Sequence, residues 1–215
     1  MILILTALIP EVLLFIMVYS LDRNKEPFLL LLKLFICGIF TSLLVGLFNL
    51  YFDPNQYFSH KSILMNLFYN MLYVAFLEET LKWGCTYFIG YKSKEFDENY
   101  DIILYACIIS LGFAFLENVI YVMAGGYWVA LLRGLFAVPA HLCYGTFMGY
   151  FLLLYKKEKK IKHLILSIIC PMLLHGFYDF CLADNPAIIM FGFISFMIIL
   201  FIYATYVLEE IAKNS

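Results

Sequence analysis

The stretch Phe76-Leu77-Glu78-Glu79-Thr80-Leu81-Lys82 lies in the middle of the apolar segment 62–91. About 20 apolar residues suffice to cross the ~30 Å hydrocarbon core of a bilayer as a helix. Charge in hydrocarbon is costly, so an intramembrane ionisable group is by default a functional-site hypothesis. Two adjacent carboxylates are harder still to explain as packing.

Outward from this stretch, further apolar runs occupy 2–20, 28–52, 101–124, 127–155, 162–182 and 187–208. Together they predict an all-α, polytopic membrane bundle of about seven transmembrane helices. Composition agrees: 64% of the residues are hydrophobic and 14% charged, against about 45–50% and about 25% in soluble domains. The mean hydropathy is +0.89. No soluble domain of useful size remains, and nothing points to a nucleic-acid partner. Only short polar segments separate the runs, such as Asp22 to Glu26, Asp53 to Gln56 and Lys156 to Lys160, so 1–215 is expected to form a single integral-membrane domain without an internal repeat.

Basic residues fall heavily on one side. Alternate loops hold Arg23, Lys25, Lys92, Lys94, Lys156, Lys157, Lys159, Lys160 and Lys162, with Lys213 at the C-terminal end. The other loops hold little beyond Lys61, while Arg133 enters the fifth run. The positive-inside rule then puts the N-terminus outside and the C-terminus in the cytoplasm. The first run lacks a basic leader and a small-residue cleavage site, so it is read as a retained helix. Cysteines 37, 85, 107, 143, 170 and 181 all fall within the apolar runs and form no C-x-x-C pair, which reads as packing and not as a disulfide framework.

A rise of about 1.5 Å per residue lets depth be counted from the cytoplasmic end of each run. Glu78 is 13 residues before Tyr91 and His175 is 13 after Lys162, each about 20 Å deep. His141, 14 residues before Tyr155, and Glu117, 16 after Asp101, come out at about 21 and 24 Å. Consecutive helices therefore deliver an acid or an imidazole to one plane. His175 and Asp179 share a helix face at i and i+4, and Asp179 can hold the imidazole in one tautomer. Lys82 is placed to pair with Glu78 or Glu79. His141, Gly145 and Gly149 lie along one face, a small-residue stripe that lets a neighbour approach. Pro139 and Pro171 interrupt backbone hydrogen bonding near the histidines, as is tolerated where a helix lines a polar cavity.

Other polar residues carry blander expectations. Glu11 pairs with Lys33 or Lys82 as a structural bond, and Lys33 snorkels to the interface. Asn118 either bonds across helices or joins the site. His60 and His163 are expected in solvent.

Glutamates and two histidines around a membrane cavity suit the activation of water. Either a carboxylate takes the proton while imidazoles orient the water or an oxyanion, or two histidines and a carboxylate bind zinc and another glutamate is the base. The spacing leaves both open, because the ligands come from separate helices and no H-E-x-x-H is present. A proton-coupled transporter also uses intramembrane acids and histidines, but no inverted repeat supports one.

The order Glu78-Glu79-x-x-Lys82, Phe113-x-x-x-Glu117-Asn118, His141-x-x-x-Gly145 and His175-Gly176-x-Tyr178-Asp179, preceded by Pro10, Tyr19, Asp22 and Glu26-Pro27, resembles the PrsW family of intramembrane proteases. The resemblance runs from about residue 10 to 180. It implies a glutamate-dependent protease of the bacterial cell membrane, related to the CAAX prenyl protease and bacteriocin-processing superfamily. Its implied substrate is a single-pass membrane anti-sigma factor, cut first on the extracytoplasmic side. A second intramembrane protease then completes the release of an extracytoplasmic-function sigma factor. Processing of a CAAX-type protein or a leader peptide is the neighbouring alternative. By the same resemblance Glu78, Glu79, His141 and His175 are the catalytic residues, with Lys82, Glu117, Asn118 and Asp179 supporting them. Glu117, His141 and His175 are the metal ligands where zinc is bound, though metal-free water activation is compatible with related enzymes. Lys82 and Asp179 stand where the wider superfamily often has Arg and Asn.

Overall fold

The computed structural model describes residues 2–52, 62–183 and 187–215. Among these no strand occurs and every regular element is helical. Helix α1 is Ile2–Leu21 and α2 is Phe28–Tyr51. A helical rod over 63–91 follows, made of α3 (Ile63–Tyr69), a π-helical turn (Asn70–Ala75), α4 (Phe76–Cys85) and a second π turn (Thr86–Tyr91). Helix α5 (Asp101–Leu132) runs through a third π turn (Arg133–Ala137) into α6 (Val138–Glu158). Helices α7 (Ile161–Ala183) and α8 (Ala187–Lys213) complete the order.

Among the described residues, Phe28–Tyr51, Asp101–Glu158, Ile161–Leu182 and Gly192–Lys213 are the helical stretches long and apolar enough to cross a membrane. The second is 58 residues long, far more than one crossing needs. It turns at Gly126, whose φ of 75° and ψ of −161° are open to glycine and strained for other residues. Cross-contacts centre near that turn, with Ile103 meeting Gly149, Ala106 meeting Gly145 and Glu117 meeting His141. The limbs of this stretch therefore run antiparallel.

The α5 limb forms the middle of the bundle. From Ile102 to Leu111 every side chain is out of solvent contact, the mark of a helix surrounded on all faces. Without water to drive them together, membrane helices rely on small residues and close backbone approach. A Cβ at Gly145 would come within 2.8 Å of the Ala106 carbonyl, and one at Gly149 within 2.5 Å of Ile103 Cα. Gly38 of α2 and Gly112 of α5 meet the Ile109 and Phe35 carbonyls in the same way. Large apolar side chains such as Leu29, Phe40, Ile199 and Tyr206 point outward.

The structure departs from the sequence expectations at particular side chains. Glu11 is buried, and its Oε1 accepts from Asn118 Nδ2 at 3.0 Å, while Lys33 is exposed and Lys82 belongs to another cluster. His163 is 6% exposed and lies 3.2 Å from Glu158 Oε2. The left-handed backbone at Lys159 (φ 53°) folds the start of α7 back onto the end of α6 and takes this imidazole out of solvent. His60, Lys61 and the Asp53 to Gln56 segment lie outside the described residues.

Candidate active site

Helices α4, α5, α6 and α7 bring the singled-out acids and imidazoles together. On α4, Lys82 Nζ lies 2.7 Å from Glu79 Oε1 and 3.7 Å from Glu78 Oε2, so the lysine reaches both carboxylates of its own helix. The same ammonium is 3.2 Å from His141 Nδ1 and 3.9 Å from the centre of the Phe113 ring. An ammonium only donates, so Nδ1 of His141 accepts and its Nε2–H faces Glu117 Oε2 at 3.0 Å. On α7, His175 Nδ1 donates to Glu79 Oε1 at 2.8 Å. Its Nε2 faces Asp179 Oδ2 at 3.4 Å and Glu78 Oε2 at 3.8 Å. The Tyr144 ring stacks on His175 with centroids 4.8 Å apart.

Local backbone explains how these groups converge. The π turns flank the α4 acids on both sides and precede His141, and such bulges re-aim side chains, often at functional sites. Gly176 lets α7 approach the first π turn so closely that a Cβ would lie 2.6 Å from Met71 Cα. That contact holds His175 against α4.

Arg133 is a site residue that the sequence reading passed over. Its Nη2 lies 2.8 Å from Glu117 Oε2 and its Nε donates to Asn118 Oδ1 at 3.0 Å. Asn118 in turn donates to Glu11 Oε1 and to the Ala7 carbonyl. Asn118 therefore bonds across helices and also joins the site through the arginine. The available signal was a guanidinium eight residues before His141 within an apolar run, which deserves the same suspicion as the glutamates. Electrostatically the cluster closes on itself: Glu78, Glu79, Glu117 and Asp179 all face Lys82, Arg133 or an imidazole.

A cavity of about 520 Å³ opens onto this cluster. Glu78, Glu117, Arg133, His141, His175 and Asp179 are on its wall, whereas Glu79 and Lys82 lie behind them. The paired glutamates are thus unlike. Glu79 is 0% exposed and bonded through Oε1 to Lys82 and His175, while Glu78 borders the cavity and stands 3.7 Å or more from the same two side chains.

The donors also suit a metal ion. Among the described residues, Glu79, His141 and His175 each offer a ligand atom within 4.8 Å of the others. Two imidazoles and a carboxylate are the donor set of many catalytic zinc sites. Glu79 Oε2 is buried without a hydrogen-bond partner, so it has lone pairs to give. Lys82 stands against this set, and like charges repel, so a divalent ion requires the ammonium to turn from His141. The sequence grouping placed Glu117 with the two histidines; here Glu117 borders the set through His141 Nε2.

The family described as PrsW family intramembrane metalloprotease matches residues 26–206. The chain is 35% identical over 200 residues to Protease PrsW of Oceanobacillus iheyensis, covering 92% of this chain and 90% of that one. It is 34% identical to Protease PrsW of Shouchella clausii, over 98% of this chain and 97% of the other. Against Protease PrsW of Bacillus subtilis the identity is 37%, over 74% and 72%. No solved structure matches the chain. With the match running over most of its length, the chain belongs to the PrsW family of intramembrane metalloproteases and is a multi-pass membrane protease of the bacterial cell membrane.

Proposed function

We propose that this protease makes the first cut in a single-pass membrane anti-sigma factor, on its extracytoplasmic side. A second intramembrane protease then frees the extracytoplasmic-function sigma factor. The chain does this as one membrane unit over 1–215, crossing seven times with its N-terminus outside. The observation that carries the reading is the cavity lined by Glu78, His141 and His175 within the bundle. Depth supports the side of the cut. The acids and imidazoles lie about 20–24 Å from the lysine-rich ends, nearer the outer face of a ~30 Å core.

Hydrolysis adds water across the peptide bond, so a base must take a proton from water and an acid must return one to the leaving amine. Glu78 fits the base, being the carboxylate of the pair that borders the cavity. Glu79 is held by Lys82 and His175 and tunes its neighbour rather than meeting the substrate. With Nδ1 of His175 donating to Glu79, its Nε2 is left toward Asp179 and Glu78, where it orients water or the carbonyl oxygen. The proton on Glu78 then passes to the amine, and the products are a carboxylate and an amine. His141, fixed between Lys82 and Glu117, forms the opposite wall. Glu79, His141 and His175, with Glu117 alongside, would hold a divalent ion such as zinc. When bound, such an ion supplies Lewis-acid polarisation and a lowered pKa for water.

The test is cleavage of a single-pass anti-sigma-type substrate by purified protein in proteoliposomes, with metal content measured and with chelator as one arm. A cut on the extracytoplasmic side is expected. Cleavage only of prenylated C-terminal peptides or secretion leaders would instead assign the site to those substrates.

A further inference from the structure

A second group of acids lies at the other end of α5, outside the protease site. The turn between α1 and α2 carries Asp22 and Glu26, and the segment entering α5 carries Glu98 and Asp101. Asp22, Glu98 and Asp101 each offer an oxygen within 4.8 Å of the others.

Backbone amides account for part of this arrangement. Asp22 Oδ2 accepts from Glu26 N–H at 3.0 Å, and Asp101 Oδ2 accepts from Asp97 and Glu98 N–H at 3.0 and 2.7 Å. Asn24 donates to Glu98 Oε1. The remaining oxygens are not accounted for. Asp22 Oδ1 and Glu98 Oε2 are buried atoms without a hydrogen-bond partner, and Glu26 Oε2, also buried, has only the Tyr105 hydroxyl against it. Asp22 is 2% exposed and Glu26 6%. A buried, unpaired carboxylate is expensive, and is ordinarily paired or bound to a metal.

Cations are near, and Lys25 and Lys156 act on Asp22 and Asp101 through space, but their direct hydrogen bonds go to carbonyls. Lys25 donates to the Tyr19, Ser20 and Asp22 carbonyls, Lys156 to the Phe96 carbonyl, and Arg23 to the Ser215 carbonyl. Among the described residues none of them forms an ion pair with Asp22, Glu26, Glu98 or Asp101. Burial pushes the Glu26 carboxyl up to about 7, with the Tyr105 hydroxyl opposing the shift and the facing Asp101, Asp22 and Asp97 adding to it.

We propose that Asp22, Glu98 and Asp101, with Glu26 beside them, bind a hard divalent cation that ties the α1–α2 turn to the start of α5. Carboxylate oxygens without imidazole or thiolate suit calcium, magnesium or manganese. Glu98 is partly exposed and gives the ion a route from solvent. This site is chemically distinct from the imidazole-containing protease site.

The test uses the full-length protein in detergent, stripped of divalent ions and titrated with Mn²⁺ by electron paramagnetic resonance. Ca²⁺ and Mg²⁺ are competitors, and thermal unfolding is followed in parallel. The expected result is a saturable site that persists in the His141→Ala/His175→Ala variant. Glu98→Gln, at a partly exposed position, should weaken it roughly tenfold or more, and Asp22→Asn likewise. The ion should raise the unfolding midpoint of wild type but not of Glu98→Gln. The weakest sites of this chemistry have Kd near 10⁻³ M. Absence of saturable binding of all three ions up to about 10 mM would overturn the proposal. So would wild-type affinity in Glu98→Gln, or loss of binding with the histidine variant alone.

Discussion

Helix α5 carries a carboxylate of each acidic cluster, Glu117 of one and Asp101 of the other, and the two clusters solve the same problem in opposite ways. Around Glu117 the acids face Lys82, Arg133 and two imidazoles from neighbouring helices. Around Asp101 the basic side chains hydrogen-bond to carbonyls, and among the described residues none forms an ion pair with the acids. The membrane cluster has its counter-charge built into the chain. The loop cluster relies on an ion from solution. A closed network of this kind is costly to break at its fully buried pair, Lys82 and Glu79, whereas an open one responds to what is in the buffer.

The largest expected effect tests the closed cluster through its cavity-facing acid. Glu78→Gln keeps the shape of the side chain but removes the base, so turnover should fall by about 10²–10⁴-fold. Helix content and unfolding temperature should stay near wild type, as measured by circular dichroism beside the cleavage assay. Lys82→Met tests the closure itself. It leaves Glu79 buried without its cation, and removal of one partner of such a pair costs roughly 3–5 kcal/mol. Adding Glu79→Gln should recover much of that stability without recovering activity, which a double-mutant cycle of unfolding free energies can measure.

Smaller effects separate scaffold from chemistry. Gly149→Ala would press a methyl group against Ile103, and overpacking of this kind costs about 1–3 kcal/mol. Because α5 serves both clusters, this variant should lower cleavage and cation-dependent stabilisation together. Arg133→Gln removes the guanidinium that holds Glu117 but leaves the cavity-facing Glu78 and His175 in place. Its expected cost is on the order of tenfold in kcat/KM, about 1.4 kcal/mol, with Arg133→Lys recovering part of it.

Much of the site could be read from the chain because depth in a membrane helix is a linear count. Glu78, Glu117, His141 and His175 come from separate helices, yet a fixed rise per residue placed them at one level. The i and i+4 pair of His175 and Asp179 and the reach of Lys82 to both glutamates follow from helix geometry alone. Rotation about a helix axis is what a depth count leaves out. That is why Glu11, assigned to a lysine, is found on Asn118, and why Arg133 went unnoticed as the partner of Glu117. Both outcomes depend on how α1 and the third π turn face α5. Turns hid the rest. The continuous helical stretch through Gly126 and the burial of His163 depend on single left-handed residues, Gly126 and Lys159. The loop cluster joins residues more than 70 positions apart, such as Asn24 and Glu98, which no local pattern announces.

Hydrolysis of a peptide bond within the membrane is assigned to the cavity bordered by Glu78. Its most direct test reconstitutes wild type and Glu78→Gln into proteoliposomes with a single-pass substrate and identifies the products by mass spectrometry. A new carboxyl and a new amino terminus are expected with wild type, and intact substrate with a folded Glu78→Gln protein. Cleavage by Glu78→Gln at the wild-type rate would contradict it.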